Sequence, residues 1–104
     1  MVEIEPIAFD VIVPHYSRII ALFVENRKWN ESVPLFEKKA NEIMNSPDFN
    51  NNTLFALCNT SKDVSGKLEK YGNPNGIKYV TPVTFYQLSI PEIGLETFFD
   101  SDFP

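Results

Sequence analysis

The chain has 104 residues, 43% hydrophobic and 13% aromatic, far from the weakly hydrophobic, highly charged range of disordered chains, and its length predicts one globular domain spanning 1–104. Nine basic and fourteen acidic side chains leave a net charge of −5, a sign that repels phosphate backbones and anionic lipid and argues against direct nucleic-acid or membrane binding. One cysteine and one histidine exclude an internal disulfide and a zinc site of four nitrogen and sulfur ligands, so neither metal nor cofactor is expected.

The amino terminus, "MVEIEP", is acidic where an export signal would be basic, and the longest unbroken apolar run, Ile19 to Val24, is too short to span a bilayer. A cytoplasmic protein is expected. The single thiol fits a reducing compartment, and the three sequons at Asn30, Asn51 and Asn59 then carry no weight.

In chain order, "VEIEPIAFDVIV" alternates apolar positions: Val2 and Ile4, then Ile7, Phe9, Val11 and Val13. That period predicts a strand with a bulge at Pro6, ended by Pro14. From about His15 to Trp29, Tyr16, Ile19, Ile20 and Phe23 fall at helical spacing and predict a helix. The run "IIALFV" within it also fits a fully buried strand, because periodicity alone does not separate the two at this length. "SVPLFEKKANEIMNSP" predicts a helix capped by Ser32, with Pro34 in its first turn, a stripe of Phe36, Ala40, Ile43 and Met44, and Pro47 as its stop. After the polar "DFNNN" loop, "TLFALC" (53–58) predicts a short buried strand.

Between 59 and 76, Asp63 could cap a short helix bearing Val64, Leu68 and Tyr71, with Gly72 past its end. Gly66 weakens that helix, and a strand pairing with the next one is the rival. "YGNPNG" predicts a turn rather than a phosphate cradle, since a strand follows it where a helix would be needed. "IKYVTPVTFYQLSI" predicts a long strand interrupted at Pro82. Ser89 and Glu92 have the spacing of a capping box, so a closing helix should follow with Leu95, Phe98 and Phe99 inward and Glu92, Glu96 and Asp100 outward. Together these segments predict an α+β domain: an antiparallel sheet of about four strands with two or three helices packed on one side.

The chemistry-bearing residues are few. A nucleophilic site would need His15, Cys58 and a carboxylate distant in sequence to converge; in isolation, Cys58 at the end of an apolar strand reads as a buried structural thiol. The lysines at 62, 67, 70 and 78 form the one mildly basic segment, suited to an anion or to an internal acidic partner. No basic residue follows Lys78, whereas Glu92, Glu96, Asp100 and Asp102 do. These carboxylates, with Phe103 as an apolar anchor, predict a face for a basic protein partner. The expected function is that of a non-enzymatic inhibitor of the immunity-protein or antitoxin kind, monomeric before it binds a basic partner such as a nuclease toxin. The alternatives are a phage-type inhibitor of a host nucleic-acid enzyme, a small enzyme built on His15 and Cys58, and a subunit that self-assembles through a strand edge or the 19–24 segment.

Overall fold

The apolar runs at 19–24 and 53–58 become neighbouring parallel strands at the centre of a four-stranded mixed sheet. A computed structural model describes residues 1–45, 47, 52–71 and 75–80, with only the backbone of Tyr79. The strands are β1 (Val2–Glu3), β2 (Arg18–Val24), β3 (Thr53–Asn59) and β4 (Gly76–Val80), in the order β1-β3-β2-β4. β3 pairs in parallel with both β1 and β2, and β4 runs antiparallel to β2. The helices among the described residues are α1 (Phe9–Ile12) and α2 (Asn26–Met44), with short 3₁₀ turns at Pro6–Ala8, Val13–His15, Thr60–Lys62 and Glu69–Tyr71.

The fold is α+β, but the expected antiparallel sheet is corrected to a mixed one. The cause lies in the connection between β2 and β3: the long α2 carries the chain back to the starting end of the sheet, so the two strands lie side by side in the same direction. The expected layering on one side is corrected as well. β2 alternates between two cores, sending Ile19, Ala21 and Phe23 to one face and Ile20, Leu22 and Val24 to the other. α2 covers the second face, while the segment around α1 and the residues Leu68 and Tyr71 cover the first. A strand buried on both faces has no polar alternation, which is why 19–24 is continuously apolar. The helix expected from His15 to Trp29 is therefore replaced by the rival buried strand, and this segment is interior rather than available for self-assembly.

The amino-terminal segment departs furthest from expectation. Only Val2–Glu3 is a strand; after it come two 3₁₀ turns flanking α1. Phe9 and Val13 are buried with Ala8, Ile12 and Tyr16 packed beside them, whereas Ile7 is 74% and Val11 67% exposed. Positions 9, 12 and 13 form a helical stripe that Tyr16 extends from just beyond the last turn, and the period-2 alternation of 7, 9, 11 and 13 matched it by coincidence. Pro6 opens the first turn and Pro14 sits in the last, positions where the missing N–H costs nothing, while in a ladder each would remove a hydrogen bond.

α2 starts at Asn26, six residues before the expected cap, so Ser32 is a buried interior residue and Pro34 lies inside the helix. Trp29, Val33, Phe36, Ala40 and Ile43 form the inward stripe, the buried Val33 and Phe36 contributing about 1.5–3 kcal/mol each and the partly buried Trp29 and Ile43 less. That total outweighs the roughly 3 kcal/mol cost of an internal proline. Met44, expected in the stripe, is 38% exposed at the helix end. The strand expected at 53–58 forms as β3.

Between β3 and β4 no continuous helix forms. Asp63 therefore caps no helix; its carboxylate closes the loop, accepting from the backbone N–H of Lys67 at 2.8 Å and Leu68 at 2.9 Å. Gly66 has φ of +69°, a left-handed conformation that ends any helical run through it. Leu68 and Tyr71 are buried as expected, and Val64 is 95% exposed. The rest of the expected strand beyond 80, the capping box and the closing helix lie outside the described residues. Among the described residues no helix is long and apolar enough to cross a membrane.

Candidate functional site

The expected partner-binding residues Glu92, Glu96, Asp100, Asp102 and Phe103 lie outside the described residues. The structure does describe the cationic groups proposed as their internal counterpart. Lys62 Nζ lies 3.1 Å from Glu3 and 3.5 Å from Glu5, and these carboxylates raise its pKa through a hydrogen bond from Lys62 to Glu3 and their combined charge. Lys70 donates to Asp10 Oδ2, and Tyr71 donates its hydroxyl to Asp10 Oδ1. Burial acts to raise the Asp10 carboxyl, but these two hydrogen bonds and the charges of Lys70 and Lys67 hold it below its ordinary value. Lys78 is 4% exposed on β4, with its ammonium 6.0 Å from the centre of the Phe23 ring. Of the four lysines in the basic segment, Lys62 and Lys70 are thus engaged by amino-terminal carboxylates at the surface, Lys78 is buried and Lys67 is exposed.

The fold does not bring His15 and Cys58 together. His15 ends the 3₁₀ turn before β2, at the strand's amino-terminal end. Cys58 pairs across the sheet with Phe23, near the carboxyl end of the same strand, about 16 Å along at ~3.3 Å per residue. Cys58 is fully buried, and its thiol is pushed up to about 12 by burial and by the charges of Asp63, Glu3 and Glu5. A thiol so placed is protonated at neutral pH and is not a nucleophile. Among the described residues, no three His, Cys, Asp or Glu side chains are grouped to hold a metal ion.

A different site appears at the carboxyl ends of the parallel strands. β2 leaves the sheet into α2 on one face, while β3 leaves into the Thr60–Lys62 turn toward the other. Diverging connections from adjacent parallel strands open a crevice between them, the place where open sheets with parallel strands most often bind ligands. Here the chain places Asn26 and Asn59. Asn59, 6% exposed, donates its amide to Asn26 Oδ1 at 2.6 Å and accepts from the Ser61 N–H at 2.9 Å. Ser61 Oγ in turn accepts the Asn26 N–H at 2.9 Å, so the cap of α2 comes from a residue across the crevice. Glu25, at the cap position itself, makes no side-chain cap bond.

This network borders a cleft of about 410 Å³ lined by Glu3, Asn26, Trp29, Asn30, Asn59 and Lys62. A second cleft of about 320 Å³ opens on the other side of the helix start, between Arg27, Lys28, Ser32 and Ile77. Neither was foreseen: Asn30 and Asn59 drew notice only as sequons. The usable signal was an asparagine within two residues of the end of each of two apolar runs, Asn26 after Val24 and Asn59 after Cys58, and its meaning depends on those runs pairing in parallel. Compared with known protein families, curated proteins and solved structures, the chain has no match.

Proposed function

We propose that the protein is a non-enzymatic acidic inhibitor that binds and blocks a basic protein, in the manner of immunity proteins and antitoxins, with a nuclease toxin as the natural partner. A phage-type inhibitor of a host nucleic-acid enzyme would use the same physics on a different target. The observation that carries the reading is the charge distribution: every basic residue lies at or before Lys78, and Glu92, Glu96, Asp100 and Asp102 follow without one. The handling of cations in the described part adds support. Arg27 is paired with Glu25, Lys62 with Glu3 and Glu5, Lys70 with Asp10, and Lys78 is buried. With these cations engaged by neighbouring carboxylates or buried, fewer of them face a cationic visitor, and the negative excess is that of the carboxylates after Lys78. Such a field raises association rates rather than filling a catalytic role.

The test is capture of a basic partner from the host and its competitor strains, followed by association kinetics at several salt concentrations. Steered binding predicts an association rate that falls at least tenfold between low and high salt. The combined change Glu92→Gln, Glu96→Gln and Asp100→Asn should produce a comparable loss at low salt. A complex indifferent to both salt and these substitutions would end the proposal.

A further inference from the structure

The crevice at the carboxyl ends of β2 and β3 is unused by charge-steered binding, and its polar lining is largely side-chain amide. Asn59 is more than nine-tenths buried and lines the cleft. Its amide has two hydrogens; one goes to Asn26 Oδ1, and the other has no protein acceptor among the described residues. The indole N–H of Trp29 and the side-chain amides of Asn26 and Asn30, on the same cleft, are likewise not given to any protein acceptor among the described residues. Trp29 is half-buried, packed against the core on α2's side of the sheet while lining the opening. The one carboxylate on the wall, Glu3, is taken up by Lys62.

We infer that this cleft is a binding site for an uncharged nucleobase, presented as the free base or nucleoside. Three features select that chemistry. The cleft offers amide hydrogens of Asn26, Asn30 and Asn59 and the indole N–H, together with the Asn30 carbonyl, a mixed set that matches the ring nitrogens, carbonyl oxygens and exocyclic amines of a base edge. The aromatic wall favours a flat ring, since base–aromatic stacking is general among bases. The local charge disfavours an anion: Glu3 and Glu5 together outnumber Lys62, and the chain as a whole carries −5, so a phosphate on the ligand would be repelled. The cleft is shallow and open to solvent, and its volume of about 410 Å³ gives a base room to lie against the indole. The Asn59–Asn26–Ser61 network holds the donors in place before a ligand arrives, which lowers the ordering cost of binding.

Trp29 is the only tryptophan in the chain, so its fluorescence reports on this cleft alone. The experiment titrates the intact protein with adenosine, guanosine, cytidine and uridine, with inorganic phosphate and glucose as parallel arms. Saturable quenching by at least one nucleoside is expected, with no response to phosphate or glucose. Asn30→Asp, an exposed change that replaces a donor by a charged acceptor, should weaken that binding at least fivefold while leaving the thermal unfolding midpoint near that of the parent. Asn59→Asp should weaken it further, and Asn30→Asp decides the matter if Asn59→Asp does not fold. Emission unmoved by all four nucleosides, an equal response to glucose or phosphate, or parental affinity in Asn30→Asp would each overturn the inference.

Discussion

Replacing Phe9 by alanine and, separately, Ile7 by alanine distinguishes a helical amino-terminal segment from an extended one. Phe9 is fully buried. Its ring meets those of Phe23 and Tyr71 edge to face, with centroids 5.4 Å and 4.9 Å apart and interplanar angles of 81° and 73°. Truncating a buried phenylalanine removes its transfer free energy and leaves a cavity, together about 3–5 kcal/mol, of which the two aromatic pairs account for roughly 0.5–1.5 kcal/mol each. Against a total stability of about 5–15 kcal/mol for such a domain, that is a large fraction. Ile7 is 74% exposed, and its truncation should change stability by no more than about 0.5 kcal/mol. Urea denaturation followed by circular dichroism reads both. With an m-value of about 2 kcal/mol/M, Phe9→Ala should lower the midpoint by about 2 M and Ile7→Ala by a few tenths at most. In an extended segment, 7, 9, 11 and 13 would share one face and Ile7→Ala would cost nearly as much as Phe9→Ala. That result would refute the helical stripe and the packing of this segment on the sheet.

Two further outcomes follow from the titrating groups. Asp10→Asn should cost about 1 kcal/mol or less at neutral pH, because the carboxylate side chain is 41% exposed and surface pairs of this kind contribute little. The Asp10 carboxyl lies below its ordinary value in the folded protein, so its contribution is complete above the unfolded value of about 3.9 and is lost as pH falls through the lower folded value. The difference between parent and variant should hold from neutral pH to about 5 and close in stronger acid; a difference that persists undiminished there would contradict the assignment. Cys58, fully buried with its thiol pushed up to about 12, should react with a disulfide reagent at neutral pH only through opening of the fold. Labelling should speed up with sub-denaturing urea in step with the unfolding equilibrium, and labelling of the native protein at the rate of a free thiol would show the site to be accessible.

What the sequence by itself determined is local. The apolar run at 53–58 was long enough for a strand and too short for a helix, and Phe36, Ala40 and Ile43 recur at a period that only a helix places on one face. Asp63 was legible as a residue that takes up nearby backbone N–H groups, because that preference needs no tertiary partner, and the absence of cations after Lys78 is a property of composition alone. Tertiary structure decided wherever two local solutions were close in energy. Phe9 and Val13 satisfy a strand or a helix equally until the sheet offers a surface to pack on. Ile19 to Val24 became a strand because β3 and β4 take up its backbone hydrogen bonds on both sides while separate cores bury both of its faces. The start of α2 depended on Ser61, a residue 35 positions away supplying the cap, and the crevice joining Asn26 to Asn59 exists only because β2 and β3 run in the same direction. Strand direction is set by where the long connection returns the chain, a global constraint that no window of neighbouring residues contains.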